Sequence, residues 1–295
     1  MTVHLVGAGP GDPELLTVRA HRLLAAADVV IHDRLVGPAV LALAGRARLV
    51  DVGKLPGGSH QAQADINRLL IEEGRGGGTV VRLKGGDPYL FGRGGEEAAD
   101  LRVAGIDVEV VPGVSSALAA PAAAGIPVTH RTVSAGVTIV TGSTADDSSG
   151  VDWPTLAALD HTLVVLMGVG RAPELAATLI EHGRRPIEPV AVVGSGTLAG
   201  QRTVRTTLER LDRVDVPAPA TIVIGPVAAL ADLPEWVPSQ ASTSDSVSAS
   251  ASASGRSSVA STSAPLLSDR ASAPDPTTPA QTTVVTVAAP GGTRP

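Results

Sequence analysis

Residues 81–97 read VRLKGGDPYLFGRGGEE and hold the chain's only tyrosine (Tyr89), its only phenylalanine (Phe91) and one of its two lysines, Lys84. The glycines of this stretch require a backbone that turns and approaches another group closely. Beside them stand side chains suited to holding a small polar molecule: the carboxylate of Asp87 and the cations Arg82, Lys84 and Arg93. A strand, a turn and a helix would account for the glycines. They would not account for the gathering of rare side chains, which points to a ligand.

A second glycine-rich loop, LVGAGPGD at residues 5–12, tests which ligand. Gly7 and Gly9 fit the first two glycines of a dinucleotide-binding G-x-G-x-x-G, and Asp33 stands about where a ribose-binding acid belongs. Two residues spoil that fit. Asp12 takes the third glycine position and sets a carboxylate where a pyrophosphate should meet a helix N-terminus. Pro10 removes a backbone N–H from the loop that would cradle phosphate. A phosphate-free, positively charged ligand suits the loop better. S-adenosylmethionine, a sulfonium cation with a zwitterionic end, is one candidate.

The elements that must position these loops alternate along the chain. VHLVGAG, ADVVIHD, RLVDVG, TVVRLKG and DVEVVPG read as short buried strands ending at Gly or Asp. PELLTVRAHRLLAAA and AQADINRLLIEEG lie between them with helical leucine spacing; Pro13 suits a first helical turn with Asp12 as its N-cap. Such alternation predicts a largely parallel sheet covered on both faces. Strand signals resume at GVTIVTG, HTLVVLMG, EPVAVVGSG, RTVRTT and ATIVIGP, with the helix APELAATLIEHG among them and an Arg-Thr strand that could pair antiparallel. The expected fold is α/β, with domains at 1–113 and 114–238 and the site in the cleft between them.

Composition narrows the class. The net charge of −6 argues against a nucleic-acid binder. No signal peptide and no long apolar run are visible, and zero cysteines exclude disulfides and thiolate chemistry. The reading is a soluble cytoplasmic protein without a membrane anchor. Ser, Thr, Ala and Pro supply 38 of the 55 residues from Ala241 to Pro295, so 239–295 is expected to be a disordered tail.

The ordered series VGAGPGDPELLT, DRLV, VGK, VRLKGGDPYLFGRGGEE, VPGVSSA, AGIPVTHR, TG, LMG, GT…QR and PATIVIG, from about Val3 to Val237, resembles the tetrapyrrole methylase superfamily. Within it, the series is most similar to the uroporphyrinogen-III C-methyltransferases. The resemblance implies two α/β domains of the tetrapyrrole methylase type and S-adenosyl-L-methionine as methyl donor, with no metal. It implies C-methylation of uroporphyrinogen III at two ring carbons to give precorrin-2, by a homodimer.

Carried over position by position, the resemblance puts Pro10, Gly85, Gly86, Asp87, Leu90, Ser115, Ser116, Met167, Gly196, Pro219 and Ala220 against the cofactor. Asp87 also makes chemical sense there, because a carboxylate binds hydroxyls or an ammonium with charge-assisted hydrogen bonds. Ser115 and Ser116 equally suit the start of the helix ALAAPAAAG. The carboxylated substrate needs cations, and Arg34, Arg82, Lys84, His130 and Arg131 are the candidates. Asp33 matches the proton acceptor and Lys54 the donor, with Arg93 holding substrate or taking part. The chain departs from the family pattern at His32, in VGKLPGGSHQ and in SAGVTIVTGS, which bears on substrate contacts more than on the cofactor pocket. The rival readings are a methylase of a later corrinoid, a nicotinamide-dependent dehydrogenase and a non-catalytic binding module.

Overall fold

The computed structural model describes residues 2–53, 59–143, 150–230 and 285–287, without the side chains of 59–62 and 285–287. Each of the ten segments expected to be a strand forms one. β1 (Thr2–Gly7), β2 (Val29–His32), β3 (Arg48–Asp51), β4 (Val80–Lys84) and β5 (Asp107–Val111) form one sheet in the order β3-β2-β4-β1-β5. Every pair in it is parallel. Helices α1 (Val18–Ala25), α2 (Pro38–Leu41), α3 (Ser59–Gly76) and α4 (Gly94–Val103) occupy its connections.

The second sheet comprises β6 (Val137–Thr141), β7 (Thr162–Leu166), β8 (Pro189–Gly194), β9 (Arg202–Thr207), β10 (Ala220–Ile224) and a short β11 (Val285–Val287). Its order is β11-β6-β7-β10-β8-β9. β10 runs antiparallel to both β7 and β8, and β9 antiparallel to β8, as the Arg-Thr pattern suggested. Helices α5 (Ser116–Ala123), α6 (Trp153–Ala158) and α7 (Ala172–Glu181) accompany this half. β11 comes from the Ser/Ala/Thr/Pro-rich tail; the rest of that tail lies outside the described residues. Among the described residues no helix is long and apolar enough to cross a membrane.

Strand periodicity decides which side chains reach which layer. In β4, Val81 and Leu83 join Val6, Val30 and Leu24 in one core, while Val80 joins Leu5, Ile31, Leu70 and Leu101 in another on the opposite face. Arg82 lies in register with Leu5 and Ile31, so the period of two carries Arg82 and Lys84 onto that second face. Glu97, on α4, meets them there.

The first helix differs from its expected form. Asp12 caps only a 3-10 turn, Pro13–Leu15; the chain is then extended at Leu16 and Thr17, and α1 starts at Val18. The reason is a second cap: the Thr17 hydroxyl accepts the Ala20 N–H at 3.1 Å, dividing the stretch in two. Thr17→Ala is expected to lower stability by about 1 kcal/mol, read from the denaturant midpoint at unchanged slope.

Candidate active site

The carboxyl ends of β1, β2 and β4, the loop after β5 and the ends of β7 and β8 converge on one cavity of about 510 Å³. Antiparallel β10 adds its starting end, because Ala220 pairs with Gly194 and Thr221 with Leu166. All eleven residues that the sequence set against a cofactor line this cavity: Pro10, Gly85, Gly86, Asp87, Leu90, Ser115, Ser116, Met167, Gly196, Pro219 and Ala220. Asp33 and Arg34 line it too, as do Leu35, Phe91, Ser195 and Leu198, which the sequence reading did not name for this role.

Close backbone approach shapes the floor. A Cβ on Gly113 would stand 2.2 Å from the Gly86 carbonyl oxygen, and one on Gly7 would stand 2.5 Å from the Gly113 Cα. Gly9 and Gly86 form a β-bridge that ties the first loop to the loop after β4. Asp87 fixes the junction, accepting the Tyr89 N–H at 2.8 Å through Oδ1 and the Gly113 N–H at 3.0 Å through Oδ2. It therefore acts as an Asp-Pro turn and also lines the cavity; each oxygen keeps further acceptor capacity. Ser115 caps α5 by accepting the Ala117 N–H. On the far wall, a Cβ on Gly196 would meet Ala120 Cβ at 2.5 Å.

The backbone is strained around the same space. Among the described residues, Phe91, Arg93, Met167, Ser195 and Thr197 are the non-glycine positions with positive φ. Phe91, Met167 and Ser195 line the cavity, while Thr197 accepts the Asp12 N–H at 3.3 Å and so ties the first loop to the loop after β8. Left-handed conformations at side chains as large as Phe, Arg and Met persist only where the surroundings enforce them, and such residues cluster at functional sites.

Two of the cations expected to grip substrate stand elsewhere. Arg82 and Lys84 are each only 2% exposed and do not line the cavity. Arg82 donates from Nη2 to Asp33 Oδ1 at 2.5 Å and from Nε to Glu97 Oε1 at 3.2 Å. Lys84 Nζ donates to the same Glu97 oxygen at 2.8 Å, and Gln63 adds a third donor at 3.3 Å. Burial pushes the Lys84 ammonium below the usual lysine pKa, helped by Arg82 and opposed by Glu97 and Asp33. Direct substrate contact is therefore withdrawn for these two: their strand face points into the sheet–helix core, not to the loops. Glu97, fully buried, escaped the sequence reading, although the pair of acids opening α4 was visible. Its Oε2 has no partner among the described residues.

The remaining candidates scatter. Arg34 is exposed on the cavity wall. Arg93 caps α4 in a left-handed conformation and pairs with Glu96, whose hydrogen bond raises its pKa above the usual arginine value. His130 and Arg131 are exposed beside a bridge between His130 and Ser134, off the cavity wall. Lys54 lies outside the described residues.

The chain is similar to known proteins in both sequence and fold. An S-adenosyl-L-methionine-dependent uroporphyrinogen III methyltransferase of Methanosarcina barkeri is 48% identical over 238 residues, covering 78% of this chain and 93% of that protein. A sirohaem synthase of Tolumonas auensis is 47% identical over 79% of this chain, but the chain spans only 50% of that longer protein. The crystal structure of uroporphyrin-III C-methyl transferase from Thermus thermophilus complexed with S-adenyl homocysteine superposes with a TM-score of 0.68 at 46% identity, over 77% of this chain and 98% of that one. The family described as Tetrapyrrole (Corrin/Porphyrin) Methylases matches residues 2–212. With its motifs gathered around one cavity and relatives of this similarity, the chain belongs to the tetrapyrrole methylase family.

Proposed function

We propose that the chain is an S-adenosyl-L-methionine-dependent uroporphyrinogen-III C-methyltransferase, which methylates two ring carbons to give precorrin-2, the first committed step towards sirohaem and cobalamin. The observation that carries the reading is the cavity itself, lined by every residue assigned to the cofactor. Its volume suits a cofactor-sized ligand. The charged residues on its wall are Asp33, Asp87 and Arg34, a net negative set that favours a cation over a pyrophosphate. Glycines at 86 and 196 let backbone groups approach a flat adenosine closely.

When bound, S-adenosyl-L-methionine would supply an electrophilic methyl group on a sulfonium, its S–CH3 bond breaking to release S-adenosyl-L-homocysteine. The chain's own residues do the rest. The cavity walls exclude water and align the pyrrole carbon for in-line attack. As the carbon–carbon bond forms, the macrocycle gains positive charge and must lose a proton. Asp33, about one-third exposed on the wall, is proposed to accept it. Arg34, with Arg93, His130 and Arg131 further out, is proposed to meet the substrate's carboxylates. Lys54 is kept as the proposed donor by family position. The resemblance further supports a homodimer in the cytoplasm and domains cut near residue 113; sedimentation would test the dimer.

The test is anaerobic incubation with uroporphyrinogen III and methyl-labelled S-adenosyl-L-methionine. Label transferred to the tetrapyrrole is expected. Label retained on the donor, with the donor bound, would reject the substrate. A dehydrogenase reading predicts saturable nicotinamide dinucleotide binding; the buried carboxylate of Asp12, with Pro10 in the same loop, predicts none.

A further inference from the structure

The Asp33 carboxylate is reached from two sides. Its exposed side joins the cavity wall, and its buried side meets Arg82, which lies in the core between sheet and helices. We propose that Arg82 and Glu97 form a positioning pair that holds Asp33 in the orientation needed for proton acceptance. This rests on the reading of Asp33 as the proton acceptor.

The guanidinium is a rigid planar fork, and the structure uses different nitrogens for different partners. Nη2 holds Asp33 Oδ1, while Nε holds Glu97 Oε1. Fixing one end of the plane therefore fixes the other. Glu97 is itself immobilised by Lys84 and Gln63 on the same oxygen, and α4 supports it from behind. Two carboxylates and two cations balance within this cluster, so no member is left as an isolated buried charge. Asp33 Oδ2 has no hydrogen bond among the described residues and is left for the reaction. A pair present only for stability would have no reason to end on a part-exposed carboxylate in the cavity wall.

Arg82→Lys keeps the charge but loses the fork, and Glu97→Gln keeps the shape but weakens the anchor. Each is expected to lower kcat at least about ten-fold, since small misplacements of a reacting group carry costs of that size. S-adenosyl-L-methionine affinity and the KM for uroporphyrinogen III are expected to change no more than about three-fold, because neither residue lines the cavity. The decisive comparison is a double-mutant cycle on kcat. If Arg82 acts through Asp33, Arg82→Lys combined with Asp33→Asn will be no slower than Asp33→Asn alone. Multiplying losses would overturn the proposal, as would a wild-type kcat in Arg82→Lys when Asp33→Asn is slow. If Arg82→Lys does not fold, Glu97→Gln enters the same cycle: no added loss beside Asp33→Asn supports the proposal, and multiplying losses overturn it. Full turnover by Asp33→Asn would instead reject the proton-acceptor reading, and the positioning proposal with it.

Discussion

Replacing Asp33 with asparagine is expected to slow methyl transfer about 100- to 10,000-fold, the range for a positioned proton-transfer group. Asparagine has nearly the same shape and keeps an oxygen able to accept the Arg82 bond, so the geometry around β2 is expected to survive. What it loses is the capacity to accept a proton. The loss should therefore appear in kcat, with donor affinity and melting temperature near wild type. Burst or single-turnover measurements would separate methyl transfer from product release. Full turnover with unchanged donor binding would mean that another group takes the proton.

Gly113→Ala is expected to have the second large effect, on folding and donor binding together. Its new Cβ would stand 2.2 Å from the Gly86 oxygen, 2.7 Å from Gly7 Cα and 2.9 Å from the Gly7 carbonyl carbon. All three are backbone atoms, so no flexible side chain can move aside. Overpacking of this kind typically costs about 1–3 kcal/mol, and rigid neighbours put this position at the upper end. Relief can come only by moving Gly86 or Gly7. Moving Gly86 also shifts Asp87, which holds the Gly113 N–H and lines the cavity. We expect S-adenosyl-L-methionine affinity to fall more than about ten-fold, the equivalent of 1.4 kcal/mol. Gly95→Ala is the control: nothing lies within 4 Å of its Cβ, and it sits inside α4. There alanine should leave donor binding intact and raise stability by about 0.5–1 kcal/mol. Similar melting and binding for the two variants would contradict the close-packed floor.

The strands, and the gathering of the motif residues on one cavity, were legible because they depend on local signals. The ten strand signals, five of them short apolar runs ending at Gly or Asp, became β1–β10, and the motif residues after β1, β2 and β4 turned to the cavity because parallel strands deliver their following loops to one edge. The start of α1 was not legible, since either Asp12 or Thr17 could cap a helix and only the structure shows that both do. Arg82 and Lys84 misled for a different reason. Their charge suggested a surface role, while their place in the alternation of β4 already assigned them to a covered face. Charge outweighed periodicity in that reading; the partner that makes burial tolerable, Glu97, comes from a helix 13 residues beyond Lys84. The strain at Met167 and Ser195 carried no sequence signal, because neither residue type ordinarily marks a positive φ.

The most direct measurement is the mass of the tetrapyrrole after anaerobic incubation of the purified chain with uroporphyrinogen III and S-adenosyl-L-methionine. The account predicts a product heavier by two methyl groups, formed as the donor is consumed. A single added methyl would place the fault in the second methylation, with the departures around VGKLPGG as its first suspects. An unchanged tetrapyrrole, with the donor bound in the cavity, would contradict the central claim: the family and its pocket would stand, and the substrate would be a different one.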